Sequence, residues 1–457
     1  MIKESFQSFR NAFMRGLLEN TTFRNAEVLK TFLVGTATLA TVAHIVVFIS
    51  TQYFGLHPLS AIYFIPSDGW CPPGHPQPIG VHCFGDFGLP TQISGSENPW
   101  DPKGIMVPYS ATGFLLFLPF KLIMDATGSY GFALIVYMAA GIISLSSAGL
   151  YATKELPLRM KLLGVCLSLA LFPGLLALDR GNSIMFAVPL FLLLFESLRS
   201  EKWNRAGLAI ILLSLLKPQF VVLLLIFITV RLYKMGVTFL LVAASLNVGA
   251  FAFWWKSFPN NIFDFLVALG KYQHQQSLAT FFPENASFTV PFFSTELVAK
   301  VIRGEDWKLL DGYWTLENSN FLAIGIGTLL LVGTMLTHKR RTALVNAICL
   351  TAVASFSPSV SYSYYLVFCL PICALLVRDG LRDPEAQSLI GQGWSGRLFL
   401  STLLLSLVRI PLPITIDANY EKMPLTTAEL LPILFMAFVI STFFNRKTKI
   451  RSSPERL

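Results

Sequence analysis

Long runs of apolar residues, separated by short polar stretches, recur along almost the whole chain. Ten-residue segments of alternating hydrophobicity, which are typical of outer-membrane β-barrels, do not accompany them. The runs therefore predict an all-α, polytopic transmembrane protein, because lipid requires each backbone polar group to be satisfied inside its own helix. We place thirteen runs at 28–50, 106–124, 130–152, 161–178, 182–198, 205–217, 218–233, 235–255, 319–337, 342–356, 362–378, 398–412 and 426–444.

Composition narrows the class of protein further. The 457 residues are 54% hydrophobic and 13% charged, whereas a soluble chain has about 25% charged residues. This balance excludes a soluble enzyme, a disordered tail and a fibrous protein. The net charge of +9 is typical of basic cytoplasmic loops in a membrane protein, so we expect no nucleic-acid partner.

The positions of the basic residues predict the topology. Both ends of the chain are basic, so we predict that both termini lie in the cytoplasm. Two termini on the same side require an even number of crossings. If the run at 106–124 stays at the outer face as a juxtamembrane helix, 24 of the 35 Lys and Arg residues lie inside. If that run crossed instead, the following basic hairpins would lie outside. We therefore predict about twelve crossings in a multi-pass protein of the cell membrane.

This topology defines the domain organisation. We expect a cytoplasmic N-terminal segment at 1–27, a single transmembrane catalytic domain at 28–445 and a basic cytoplasmic tail at 446–457. The domain has two large outer loops, at about 51–129 and about 256–318. Most of the polar residues that are candidates for catalysis or binding lie in these loops or at the helix breaks that face them.

One carboxylate in the first outer loop is a candidate general base. Asp86 lies between glycines and aromatics in the segment Cys83–Gly88, and a carboxylate near an apolar interface can take a proton from a sugar hydroxyl. An ordinary solvated loop aspartate fits the local sequence as well. Glu97 and Asp101 lie in a turn-rich stretch, and we interpret each as a turn or cap residue.

Two cations on the predicted outer side are candidates for binding a lipid phosphate. Arg180 follows an apolar run in a tight hairpin, and Lys217 ends another run directly before Pro218. Guanidinium and ammonium groups bind phosphate oxygens through charge-assisted hydrogen bonds. The alternatives are a local pair of Arg180 with Asp179 that closes the turn, and snorkelling of Lys217 to the interface.

Other polar residues are weaker candidates. His274, Gln276 and Ser277 can hydrogen-bond a sugar or can be generic loop residues, and Tyr364 and Tyr365 lie near a helix break at Ser357-Pro358. Tyrosines there can bind substrate or belong to the interfacial aromatic belt. Cys71 and Cys83 can form a disulfide or, with His75 and His82, a zinc site. We expect no metal and no cofactor, because the sequence has no acidic ligand cluster and no phosphate-binding loop.

Several segments, taken in order, resemble one family. The chain is similar to the GT-C membrane glycosyltransferases and, within them, to glycosyltransferase family 87, the polyprenol-phosphate-mannose-dependent mannosyltransferases. It departs from the family pattern at Trp100, where relatives have Tyr, and at Tyr364 or Tyr365, where they often have His. The matching segments are Asp86, Asn98-Pro99-Trp100, Pro108-Tyr109, Arg180-Gly181-Asn182, Lys217-Pro218, Gln275-Gln276-Ser277 and Ser357-Pro358 through Tyr364-Tyr365 to Pro371.

The resemblance implies an inverting transfer of a sugar, expected to be mannose, from a polyprenyl phosphate to a glycolipid or cell-envelope glycan on the outer face. It assigns Asp86 as the catalytic base, and Arg180 and Lys217 as donor phosphate ligands. The alternatives are a twelve-helix secondary transporter or a lipid-linked glycan flippase, although the sequence shows no repeated halves. The implied substrate-binding residues are Tyr109, Asn182, His274, Gln276, Ser277, Tyr364 and Tyr365.

Overall fold

A computed structural model shows a mostly helical chain. Elements are numbered below in chain order, and 3₁₀ helices are named by their residues. Apart from four isolated positions before residue 46, the structure describes residues 84–101, 109–279, 316–356, 363–382, 394–408, 411–418, 421–426 and 431–444.

The first group of elements extends from Gly85 to Trp254. Its α-helices are α1 (Gly85–Ser94), α2 (Ala111–Thr127), α3 (Tyr130–Ala152), α4 (Leu158–Ala170), α5 (Phe172–Arg180), α6 (Ala187–Arg199), α7 (Trp203–Leu216), α8 (Ile226–Thr229) and α9 (Tyr233–Gly249). Its 3₁₀ helices are Ser183–Phe186, Pro218–Leu225 and Ala250–Trp254.

The remaining elements continue in the same helical manner, with one hairpin. They are α10 (Asn260–Ala279), α11 (Leu316–Thr337), α12 (Ala343–Phe356), α13 (Cys369–Arg382), α14 (Trp394–Leu407), the strands β1 (Pro411–Ala418) and β2 (Glu421–Thr426), and α15 (Leu431–Phe444). The 3₁₀ helices here are His338–Arg340 and Ser363–Phe368.

Most of the hydrophobic runs overlap these helices, whereas almost all of the run at 28–50 and the predicted terminal segments at 1–27 and 446–457 lie outside the described residues. The run at 130–152 is helix α3, and the run at 106–124 overlaps helix α2. Within the described residues, two helices, Tyr130–Ala152 and Tyr233–Trp254, are long and apolar enough to cross a membrane, and the bent pair α4–α5 would make a third. Several shorter apolar helices accompany them. The helical prediction is confirmed in this coarse form, whereas the twelve crossings and the side of each terminus stay predictions.

Prolines break several of the helices. Helices α4 and α5 meet at an angle of 61°, where Pro173 lies in the first turn of α5. Pro218 likewise begins the 3₁₀ helix that follows α7. Proline lacks the N–H that a helix interior needs, so it fits at the start of a helical segment and forces the preceding one to end.

The hairpin β1–β2 departs from the all-helical prediction. The two strands pair antiparallel between Ala418 and Glu421 at the turn and Pro411 and Thr426 at the open end. Pro411 and Pro413 disfavour a helix, and Ile414 and Ile416 alternate in the way that suits a strand. The predicted run at 398–412 therefore ends earlier, with helix α14 at Leu407.

Close contact between α3 and α4 shows how tightly the first helices pack. A Cβ atom on Gly149 would lie 2.1 Å from the carbonyl oxygen of Gly164. A side chain larger than hydrogen at position 149 would separate the two backbones. Such small-residue contacts are how apolar helices approach each other in a membrane, where no hydrophobic effect draws them together.

Candidate functional site

Helix α1 presents Asp86 in its first turn. Phe84 precedes the helix with a φ of 55° and donates its backbone N–H to the carbonyl of Asp179 at 3.2 Å. Phe87 is fully buried, and its ring lies 4.5 Å from that of Tyr137. These two contacts hold the start of α1 against α5 and α3. A carboxylate there is also favoured by the positive end of the helix dipole.

The hairpin after α5 supplies two partners for this carboxylate. Gly181 ends α5 with a φ of 63°, a left-handed conformation that glycine adopts without strain. Tyr137 donates its hydroxyl hydrogen to the Gly181 carbonyl at 2.9 Å. Asn182 then caps the next 3₁₀ helix, because its Oδ1 accepts the N–H of Ile184 at 2.9 Å. This cap leaves the Asn182 amide nitrogen pointing toward Asp86.

Asp86 receives both partners on one oxygen. Its Oδ2 accepts a hydrogen bond from Nε of Arg180 at 2.9 Å and another from Nδ2 of Asn182 at 2.7 Å. Its Oδ1 accepts none from any residue in the described part of the chain. The side chain is 21% exposed. Asp86 therefore has one oxygen held by protein and one that a ligand can approach.

The surroundings of Asp86 decide its ionisation. Burial by itself favours the neutral acid, but the charge and hydrogen bond of Arg180, the hydrogen bond of Asn182 and the charge of Lys217 outweigh it. The pKa of Asp86 therefore lies below its ordinary value. The carboxyl group is ionised at neutral pH, as a general base must be before it accepts a proton.

Lys217 brings a second cation to the same place. It caps the end of α7, and Pro218 directly follows it. Its Nζ lies 4.3 Å from the ring centroid of Tyr109 and 5.9 Å from that of Tyr365. No ion pair or hydrogen bond of this ammonium is found among the residues that the structure describes. The aromatic faces favour a positive charge without neutralising it.

The structure brings together seven of the ten residues that the sequence singled out. Arg180 also lies beside Tyr364, and its guanidinium carbon is 5.5 Å from the centroid of the tyrosine ring. For His274, Gln276 and Ser277 the backbone is helical in α10, and their side chains lie outside the described part of the structure. The seven are Asp86, Tyr109, Arg180, Asn182, Lys217, Tyr364 and Tyr365.

The structure also shows the ion-pair partner of Arg180 and the positions of two neighbouring acidic residues. The ion pair that the structure shows for Arg180 reaches Asp86, 94 positions away in the sequence, rather than only closing its own turn. Glu97 pairs with Lys256 at an exposed position, and the N–H of Asp101 closes a turn onto the carbonyl of Asn98. These two acids therefore lie where turn residues are expected. The predicted Cys71–Cys83 disulfide and the alternative zinc site lie outside the described residues.

Sequence reasoning gave no supporting role to two residues, Tyr137 and Trp100, of which only Trp100 was singled out, within the segment Asn98-Pro99-Trp100. Tyr137 holds the Gly181 carbonyl, and Trp100 donates Nε1–H to the carbonyl of Tyr109 at 2.8 Å. Trp100 is almost fully buried. A hydroxyl inside the apolar run of α3 was a signal for Tyr137, because a buried tyrosine needs a hydrogen-bond partner. The partner itself, a backbone carbonyl in a distant hairpin, had no signature.

No protein-family model matches the chain, and no curated protein matches it significantly. Among the described residues, no group of three or more His, Cys, Asp and Glu side chains is arranged to hold a metal ion. The site geometry must therefore be interpreted by its own chemistry.

Proposed function

We propose that the protein is an inverting glycosyltransferase that moves a sugar from a polyprenyl phosphate to an acceptor hydroxyl. One observation supports this most: an ionised carboxylate, whose Oδ1 accepts no hydrogen bond from the described residues, lies beside two cations, and one of these, Lys217, makes no ion pair with a described residue. Intramembrane or membrane-facing charges of this kind are typical of functional sites. The expected donor is polyprenyl-phosphate mannose, and the expected acceptor is a glycolipid or cell-envelope glycan.

The reaction uses each residue in a separate role. Oδ1 of Asp86 takes the proton of the acceptor hydroxyl, and the acceptor oxygen forms a bond to the sugar's anomeric carbon. The bond between that carbon and the phosphate oxygen breaks, and its electron pair leaves with polyprenyl phosphate. Lys217 and Arg180 stabilise this growing negative charge. A single displacement inverts the anomeric centre, whereas a retaining reaction of the kind glycosidases use would need a second carboxylate nearby.

The lowered pKa of Asp86 suits a particular kind of transition state. A carboxylate held by Arg180 and Asn182 is a weak base. When the sugar develops oxocarbenium character, the bond to the phosphate is largely broken before the acceptor hydroxyl must lose its proton. The main demand then falls on stabilising the leaving phosphate, which agrees with two cations beside one carboxylate.

The proposal includes an orientation in the cell membrane. The predicted run at 106–124 would lie at the outer face, with both termini cytoplasmic and about twelve crossings. Single cysteines introduced at positions 103 and 127, on either side of that run, should both react with an impermeant thiol reagent from outside. Reaction from opposite sides would mean that the run crosses the membrane, and the topology would then be wrong.

The decisive experiment measures bond formation. Membranes containing the protein are supplied with radiolabelled polyprenyl-phosphate mannose and a mixed glycolipid pool, and labelled products are separated from the donor. We expect label in a new glycoside, formed about a hundredfold more slowly or slower still when Asp86 is replaced by Asn. A transporter or flippase would move its substrate across the membrane without a new glycosidic bond. Movement of intact donor without labelled product would overturn the proposal.

A further inference from the structure

The junction between α9 and α10 exposes several large apolar side chains. Three of its side chains, Phe263, Leu266 and Val267, have the i, i+3, i+4 spacing that places them on one face of α10. Their exposed fractions are 67%, 56% and 47%. We name this the 253–267 surface, and its large exposed side chains are Phe253, Trp255, Phe258, Phe263, Leu266 and Val267.

The opposite face of α10 already packs against protein. Ala268 is buried, and the ring of Phe265 lies 6.1 Å from that of Trp100. Asp264 accepts a hydrogen bond from the Asn98 amide at 2.8 Å. Helix α10 thus packs Phe265 and Ala268 against protein and leaves three large apolar side chains exposed on the opposite face. A helix with water on its outer side has polar residues there instead.

We infer that the 253–267 surface is seated in the lipid of the bilayer interface. It directly follows the candidate span Tyr233–Trp254 in the chain, most of which is exposed, with Leu241 62% exposed. Trp255 is 72% exposed at the end of that span, where tryptophan favours the interface between lipid and water. Lys256 and Lys271 lie close by, as basic residues do beside headgroups.

This anchor is joined to the segment that bears Asp86. Trp254 donates Nε1–H to the Ser94 carbonyl at the end of α1, at 3.2 Å. Ser257 donates its hydroxyl to the Glu97 carbonyl at 3.1 Å. A helix fixed at the interface therefore sets the depth of the first outer loop relative to the membrane. The inference stands on these contacts and does not depend on glycosyl transfer.

Photo-crosslinking tests the occupant directly. Benzoylphenylalanine is placed singly at positions 263 and 255 of the full-length protein in phosphatidylethanolamine–phosphatidylglycerol vesicles. Leu241 on the exposed face of α9 is the lipid control, and Glu201 in an exposed turn after α6 is the water control. After irradiation, mass spectrometry measures lipid adducts, and denaturing gels measure crosslinked dimers.

The outcomes separate the lipid from other occupants. We expect lipid adducts at 263 and 255 within about twofold of those at 241, and about tenfold above those at 201. Yields at 263 and 255 that match position 201 would mean that the surface faces water. Crosslinked dimers at 263 or 255 would assign the surface to a second copy of the chain. Either result would overturn the inference, whatever the result of the transfer assay.

Discussion

Three helical segments have a polar cluster at each end, and the two clusters differ in their charge balance. At the first end, Tyr137, Asn182 and Tyr364 lie in the group around Asp86. At the other end, 14 residues further along each segment, Tyr151 donates its hydroxyl to Glu196 at 2.6 Å, and Arg378 lies 4.1 Å above the same ring. We name Tyr151, Glu196 and Arg378 the far cluster.

The difference distinguishes a structural pairing from a ligand site. In the far cluster one carboxylate balances one guanidinium, and both contact the same tyrosine. Among the described residues, the Asp86 group has two cations, Arg180 and Lys217, and Lys217 makes no ion pair or hydrogen bond there. An ammonium near lipid is costly unless it binds something. We therefore propose that Lys217 binds an anionic ligand at the Asp86 end.

The largest expected effect comes from Asp86→Asn. Asparagine has nearly the same shape but cannot accept a proton at neutral pH, so the transfer rate should fall by about a hundredfold or more. Donor binding should persist, since both cations remain. The measurement is the initial rate of labelled glycoside formation. Glu97→Gln, at an exposed carboxylate on the same outer segment, is the matched control and should be mild; a near-normal rate in Asp86→Asn would remove this residue from the mechanism.

Lys217→Ala should have the next largest effect. Loss of a charge-assisted phosphate contact costs about 1.5–3 kcal/mol, or roughly 10- to 100-fold in the donor's apparent affinity. Lys217→Arg should retain part of that affinity because the charge remains. Donor titrations of the transfer rate give the measurement. Lys256→Ala serves as the control, since that lysine is exposed and pairs with Glu97; equal donor affinities in Lys217→Ala and the wild type would favour simple snorkelling.

The sequence predicted the helices better than it predicted the way the site is held. The apolar run at 130–152 has the same bounds as helix α3, because twenty or so apolar residues in lipid have little choice but a helix. The hairpin after α14 was missed, since Pro411 was counted within the run at 398–412 rather than as a helix breaker, and Pro413 directly after that run was not considered.

The site residues were predicted as types, not as partners. The sequence pointed to Asp86 by its position between glycines and aromatics. It pointed to Arg180 and Lys217 by their positions at the ends of apolar runs. The hydrogen bonds of Arg180 and Asn182 to the same oxygen of Asp86 join positions more than 90 residues apart. No local pattern encodes such a pair, because it depends on how α1 packs against α5. Asn182 was predicted to bind substrate, and the structure shows its amide bonded to Asp86 and Ile184.

Asn182→Asp should have a moderate effect that depends on pH. Aspartate keeps the helix cap on Ile184, because it is as good an N-cap as asparagine. It replaces a donor to Asp86 with a second negative charge, which raises the pKa of Asp86 from its lowered value. The base is then lost to protonation at a higher pH, so the acid limb of kcat/KM should move upward.

The pH at which this variant loses stability in acid should also move upward. A carboxylate with a lowered folded pKa stabilises the protein above its ordinary pKa, and this contribution disappears as the pH falls through the folded value. Asn182→Asp should lose that contribution at higher pH than the wild type. Asn182→Ser, which can also cap the helix but adds no charge, is the control. An acid limb that moves equally in both variants would attribute the effect to the lost amide rather than to charge.

The smallest effect is expected at the far cluster, from Glu196→Gln. Glutamine can still accept the hydrogen bond of Tyr151, so the free energy of unfolding should fall by only about 1 kcal/mol. Fourteen helical residues correspond to roughly 21 Å, too far for the lost charge to act on the donor phosphate, and the transfer rate should stay within about twofold of the wild type. Thermal unfolding and initial transfer rates, measured on the same preparation, check both values.

A loss of activity as large as that of Lys217→Ala would mean that both ends of the bundle take part in function. A substrate path that runs from one face of the membrane to the other, as in a transporter, would produce that result, and a transferase with its site at one end would not.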